Sequence, residues 1–118
     1  EAKEIIKTKP QQLSQEEMFL VAQTYEPGSK EFNDVMEIAV RMFPENETAN
    51  LNAANTRLNA GDADGAKSYL DKAGNSPEAL NARGVYESLK GNDQQARHYF
   101  ALAAKAGVKA AQENLENL

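Results

Sequence analysis

The sequence predicts an all-α protein, an α-solenoid of about three antiparallel helix hairpins closed by a C-terminal capping helix. Three observations point there. A unit of about thirty residues occurs twice, apolar residues recur at helical spacing, and helix-starting residues stand where each apolar stripe begins. The repeat weighs most. Gly61 and Gly91 stand thirty residues apart, and so do Ala66 and Ala96, Tyr69 and Tyr99, and Leu70 and Phe100. The shared pattern is G-[DN]-x-x-x-A-x-x-Y-[LF], followed by Ala73-Gly74 in one copy and Ala106-Gly107 in the other. Upstream, "NLNAANTRLNAG" parallels "ALNARGVYESLKG", with one residue more in the second copy.

Residues 1–13 form an N-terminal extension in which "EAKEIIKTK" reads as a short helix stopped before Pro10. The helical repeat domain spans 14–118. Its first and most divergent hairpin covers 14–44. There "SQEEMFLVAQTY" puts Met18, Val21, Ala22 and Tyr25 on one face, and Ser14 with Glu17 can form a reciprocal cap. "EPGS" breaks that helix. Phe32, Val35, Met36, Ala39 and Phe43 then fall in register, and Pro44 ends the second helix.

The second hairpin, 46–74, carries Leu51, Ala54 and Leu58 on its first helix and Ala66, Tyr69, Leu70 and Ala73 on its second. The third, 76–106, carries Ala79, Ala82, Tyr86 and Leu89, then Ala96, Tyr99, Phe100 and Ala103. Ser76-Pro77-Glu78 offers an N-cap, a proline at the first helical position and an acid in the first turn. Asn92 to Gln95 suggests a further reciprocal cap, and Gly61 and Gly91 permit the backbone that ends the preceding helices. Residues 108–118 place Val108, Ala111, Leu115 and Leu118 on one side of a polar-backed helix, which suits the end of a stack.

A lone hairpin of this length cannot bury both of its apolar stripes, so the units are expected to stack. Ala54, Gly84, Ala66 and Ala96 would let helices approach closely, with Tyr69, Leu70, Tyr99 and Phe100 filling the remaining space. The shared residues are thereby committed to packing. Function is expected from the surface.

The stretch "NARGVYESLKGNDQQARHYFALAAKAG" resembles the tetratricopeptide repeat. The matching positions are Gly84, Tyr86, Gly91, Asn92, Ala96, Tyr99, Phe100 and Ala103, and in the earlier copy Ala54, Gly61, Asp62, Ala66, Tyr69, Leu70 and Ala73. Both copies lack that family's early tryptophan and fall short of its usual length of about 34 residues. The ending "YFALAAKAGVKAAQENL" is also similar to Sel-like repeats. More narrowly, "LVAQTYEPGSKEF" and "VRMFPENETANLNAAN" look like the C-terminal helical region of Bacteroidetes cell-envelope proteins of unassigned function. That likeness implies a cell-envelope location, within a longer protein.

The bulk chemistry narrows the partners. Among 118 residues, 26% are charged and the formal net charge is −5, which disfavours nucleic acid and anionic membrane surfaces. No apolar run approaches the ~20 residues of a membrane span. With no cysteine, disulfides and thiolate zinc sites are excluded. The chain starts with Glu1, which reads as trimming, so a targeting segment is expected to lie outside it.

No catalytic constellation stands out. His98 is the single histidine, its repeat equivalent is Ser68, and it is expected on the outward side of its helix. "GDADG" (Gly61 to Gly65) lacks the full ligand series of a calcium loop and reads as a helix start. The unusual feature is asparagine density, with Asn46, Asn50, Asn52, Asn55 and Asn59 in one short stretch, although asparagine is a mediocre helix former.

In tetratricopeptide proteins the first helix of each pair lines a groove whose asparagines bond an extended peptide. The resemblance therefore implies partner contacts at Asn52 and Asn55, with Arg57 and Asn59 nearby and Arg83 and Glu87 continuing the surface. The family's carboxylate clamp needs a lysine where this chain has Leu51. The expected role is a non-catalytic module that binds a protein or peptide, with no cofactor and no metal. The alternative is a structural spacer that positions neighbouring domains.

Overall fold

The computed structural model describes residues 14–118, so the extension 1–13 lies outside the described residues. Seven helices make up the described part, with no strand among them. They are α1 (Gln15–Ala22), α2 (Lys30–Met42), α3 (Glu47–Asn59), α4 (Ala63–Leu70), α5 (Pro77–Leu89), α6 (Asp93–Lys105) and α7 (Lys109–Glu116). No described helix is long and apolar enough to cross a membrane.

Short polar side chains start five of these helices by accepting from an amide that the first turn leaves open. Ser14 accepts from Glu17, Ser29 from Phe32, Asn46 from Ala49, Asp62 from Gly65 and Ser76 from Ala79. At Ser14 the arrangement is reciprocal, because the Ser14 amide donates to Glu17 Oε1 at 2.9 Å. Those bonds favour the ionised carboxyl and hold Glu17 below its ordinary pKa. The reciprocal cap expected at Asn92 does not form. Asn92 instead donates from Nδ2 back to Glu87 Oε1 at 2.8 Å, which draws its side chain away from the turn it would cap.

The helix ends explain the repeat. After α3, Gly61 takes φ 77° and donates to Leu58, while Asp62 donates to the Arg57 carbonyl. After α5, Gly91 takes φ 84° and donates to Ser88, while Asn92 donates to Glu87. This is a Schellman closure, and only glycine enters that backbone region without a steric cost. In the first copy the residue just past the glycine, Asp62, also caps the next helix. Two helices are thus joined without a loop.

From the cap of α3 to the shared residues of the second helices the register is thirty. α3 and α5 are each 13 residues long, and their caps Asn46 and Ser76 are thirty apart. The extra residue expected in the second copy therefore does not exist. "LNA" at 51–53 and at 80–82 is an echo one residue out of phase. The copies differ instead in their second helices, with 8 residues in α4 and 13 in α6, about one and a half turns more.

Each helix packs on the next in the chain, and α5 also packs on α3 and on α7. Met18, Val21, Val35, Met36, Ala39, Ala49 and Ala53 belong to one buried cluster, and Ala54, Leu58, Ala66, Leu70 and Ala82 form a second. α3 serves both, because successive residues on a helix point about 100° apart and Ala53 and Ala54 turn to opposite clusters. Farther on, a β-carbon at Gly84 would fall within 3.0 Å of three atoms of the Phe100 ring. The two elements touch only because Gly84 has no side chain.

Two residues expected in the core are not there. Leu89 is 45% exposed and Leu118 39% exposed. Leu89 is the last residue of α5, immediately before the chain turns off, and Leu118 lies past the end of α7.

Candidate functional site

On α3, Asn52, Asn55, Thr56 and Asn59 stand at i, i+3, i+4 and i+7 and so share a face. Asn33 of α2, Asn81 and Val85 of α5, and Ala110 and Asn114 of α7 stand around the same space. With Gly28 and Leu58 they line a groove of about 650 Å³. Six of its eleven lining residues are asparagine and none is charged.

Four of the amides pair across helices. Asn52 Nδ2 donates to Asn33 Oδ1 at 3.4 Å, and Asn114 Nδ2 donates to Asn81 Oδ1 at 3.1 Å. Asn55 and Asn59 are exposed and make no side-chain hydrogen bond to another described residue. Each amide offers both a donor and an acceptor, the same complement as a peptide group.

Of the six residues expected to contact a partner, the structure brings Asn52, Asn55 and Asn59 into this groove. Arg57, Arg83 and Glu87 do not line it. The reason is angular. Each lies two residues after a groove residue, and two steps along an α-helix rotate a side chain by about 200°, to the far side.

Arg57 is an internal tie. It donates to Glu37 Oε1 at 2.6 Å and to the Ala53 carbonyl at 2.9 Å, and its guanidinium lies 4.4 Å from the Tyr69 ring centroid. The hydrogen bond to Glu37 raises the Arg57 pKa above its already high ordinary value, against the opposing effect of partial burial. Arg83 donates to the Leu70 carbonyl at 3.0 Å and Glu87 receives Asn92. Both face a small cleft of about 140 Å³ with Lys67, Tyr86 and Tyr99.

Replacing Arg57 with methionine should therefore lower stability by about 1–2 kcal/mol, through loss of the cation–π contact and the partly screened pair. Urea unfolding measures the loss, and an unchanged midpoint would show that these contacts contribute nothing to the folded state.

Sequence reasoning missed Asn33, Asn81 and Asn114. Their signal was the residue type alone, the same amide that marked α3. Two of the five clustered asparagines have structural duties instead. Asn46 caps α3, and Asn50, 2% exposed, donates to the carbonyls of Pro44 and Asn46 at 2.9 and 2.8 Å, bracing the turn between α2 and α3. His98 is exposed, its ring 5.7 Å from that of Tyr99. The acids of "GDADG" are accounted for by the Asp62 cap and an ion pair of Asp64 with Lys90 at 2.9 Å. Among the described residues no group of three or more His, Cys, Asp or Glu is placed to hold a metal ion.

Comparison with protein-family models, with curated proteins and with solved structures finds no match.

Proposed function

We propose that the chain is a tetratricopeptide-like α-solenoid of antiparallel hairpins that works as a non-catalytic protein-interaction module, holding an extended peptide segment in its asparagine groove. The observation that carries this reading is the convergence of six asparagines from four helices on one cleft. Amides suit a peptide backbone because they answer both its N–H and its C=O groups. The cleft has no lysine or arginine to meet phosphates, so nucleic acid is not the proposed partner. The thirty-residue register and the packing of α5 on both α3 and α7 support the solenoid.

Asn55→Ala combined with Asn59→Ala tests the reading. Both residues are exposed, so the double variant should keep its helix content and melting temperature while losing about 1–3 kcal/mol of partner affinity. Affinity capture of an identified partner by the two proteins, side by side, measures this. Equal capture by both would remove the groove from the function.

A second reading, a spacer between neighbouring domains, is favoured by the elongated form of the described residues, 47 × 26 × 21 Å. It requires that the same double variant leave every property of the parent protein unchanged.

A further inference from the structure

We infer that the groove selects uncharged segments, so that its peptide ligand carries no Lys, Arg, Asp or Glu along the stretch it contacts. This rests on the peptide-binding reading and adds the class of peptide. The chain as a whole is 26% charged, a rate that would give roughly three ionisable residues among eleven lining positions, and there are none. Some charges of the same helices are paired away from the groove. Arg57 is paired with Glu37, and Lys30 at the start of α2 is paired with Asp34 at 2.7 Å.

A charged ligand side chain seated there would lose hydration and find no counter-charge, only neutral amides. An uncharged backbone meets no such cost. Asn52 and Asn114 each spend an N–H on a neighbouring asparagine and keep Oδ1 as an acceptor. Asn81 accepts with Oδ1 and keeps its donors, and Asn55 and Asn59 present both kinds. That mixture fits the alternating donors and acceptors of an extended chain. No aromatic ring lines the groove, so it has no stacking platform for a nucleobase or a sugar face.

The test is a titration of the ¹⁵N-labelled chain, read at the side-chain amide signals of Asn55 and Asn59. The probes are pools of end-capped peptides of about ten residues. One pool is randomised over Gly, Ala, Ser, Thr, Asn, Gln and Val, and two others have the same composition with lysines or glutamates inserted. A neutral glucan oligosaccharide forms the last arm.

The uncharged pool should shift both signals, and the charged pools should bind at least about tenfold more weakly. The apparent Kd of the uncharged pool should change less than about twofold between roughly 50 and 500 mM NaCl. Asn55→Ala with Asn59→Ala, followed at the remaining groove amides of Asn52 and Asn114, should weaken its binding about 5- to 150-fold. Equal or tighter binding of a charged pool, or a Kd that climbs steeply with salt, overturns the selection of uncharged segments while leaving peptide binding intact. Silence from every peptide pool overturns peptide binding itself, and the selection falls with it. Shifts from the glucan alone assign the groove to a sugar and overturn both.

Discussion

Replacing Phe100 with alanine is expected to destabilise the protein by about 3–5 kcal/mol, which corresponds to a fall in Tm on the order of 10–20 °C for a chain of this size. Phe100 is 3% exposed, and its ring occupies the space beside the Gly84 backbone. Removing the ring leaves a cavity that the rigid helices can only partly close. The contact gives the prediction a second arm. Gly84→Ala alone should destabilise by about 1–3 kcal/mol, because a β-carbon there meets the ring, despite alanine being the better helix former. In the Phe100→Ala background the same change enters vacated space and should be neutral or stabilising. A double-mutant cycle by urea unfolding measures the coupling. Additive effects would mean that α5 and α6 do not meet at this point.

Met36→Ala should cost about 2–5 kcal/mol by the same cavity mechanism at the other end of the molecule. Met36 is 1% exposed and lies in the cluster that joins α1, α2 and α3, with Met18 at 0%. Met42, on the same helix but 37% exposed, provides the control, and Met42→Ala should change stability by no more than about 0.5 kcal/mol. Thermal unfolding of the two variants side by side decides the matter. Equal, small losses would show that the first hairpin contributes little to the folded state.

Much of the core of the second and third hairpins was readable because its side chains had echoes thirty residues away. Ala66 with Ala96 and Leu70 with Phe100 are buried as pairs. The caps at Ser14 and Ser76 were readable for a local reason, since a hydroxyl ahead of an apolar stripe needs only its own turn. Asn92 was misread because its real partner, Glu87, lies behind it on the preceding helix, and no rule confined to the following turn could find it.

The groove was legible only in part. Proximity in sequence to Asn55 suggested Arg57, whereas the helical angle separates them. Asn33 and Asn114 had no repeat counterpart to announce them, and they reach the groove only through the packing of α2 and α7 around it. Leu89 shows the complementary error. A position can keep the periodicity of a buried face and still be wet when its helix stops there.

Because the cleft takes its walls from α2, α3, α5 and α7, no single helix owns it. A guest lodged there would touch all four at once. Were it to bind only the folded arrangement, it would deepen the folded well by RT ln(1 + [L]/Kd), about 2.7 kcal/mol at a hundredfold excess over Kd.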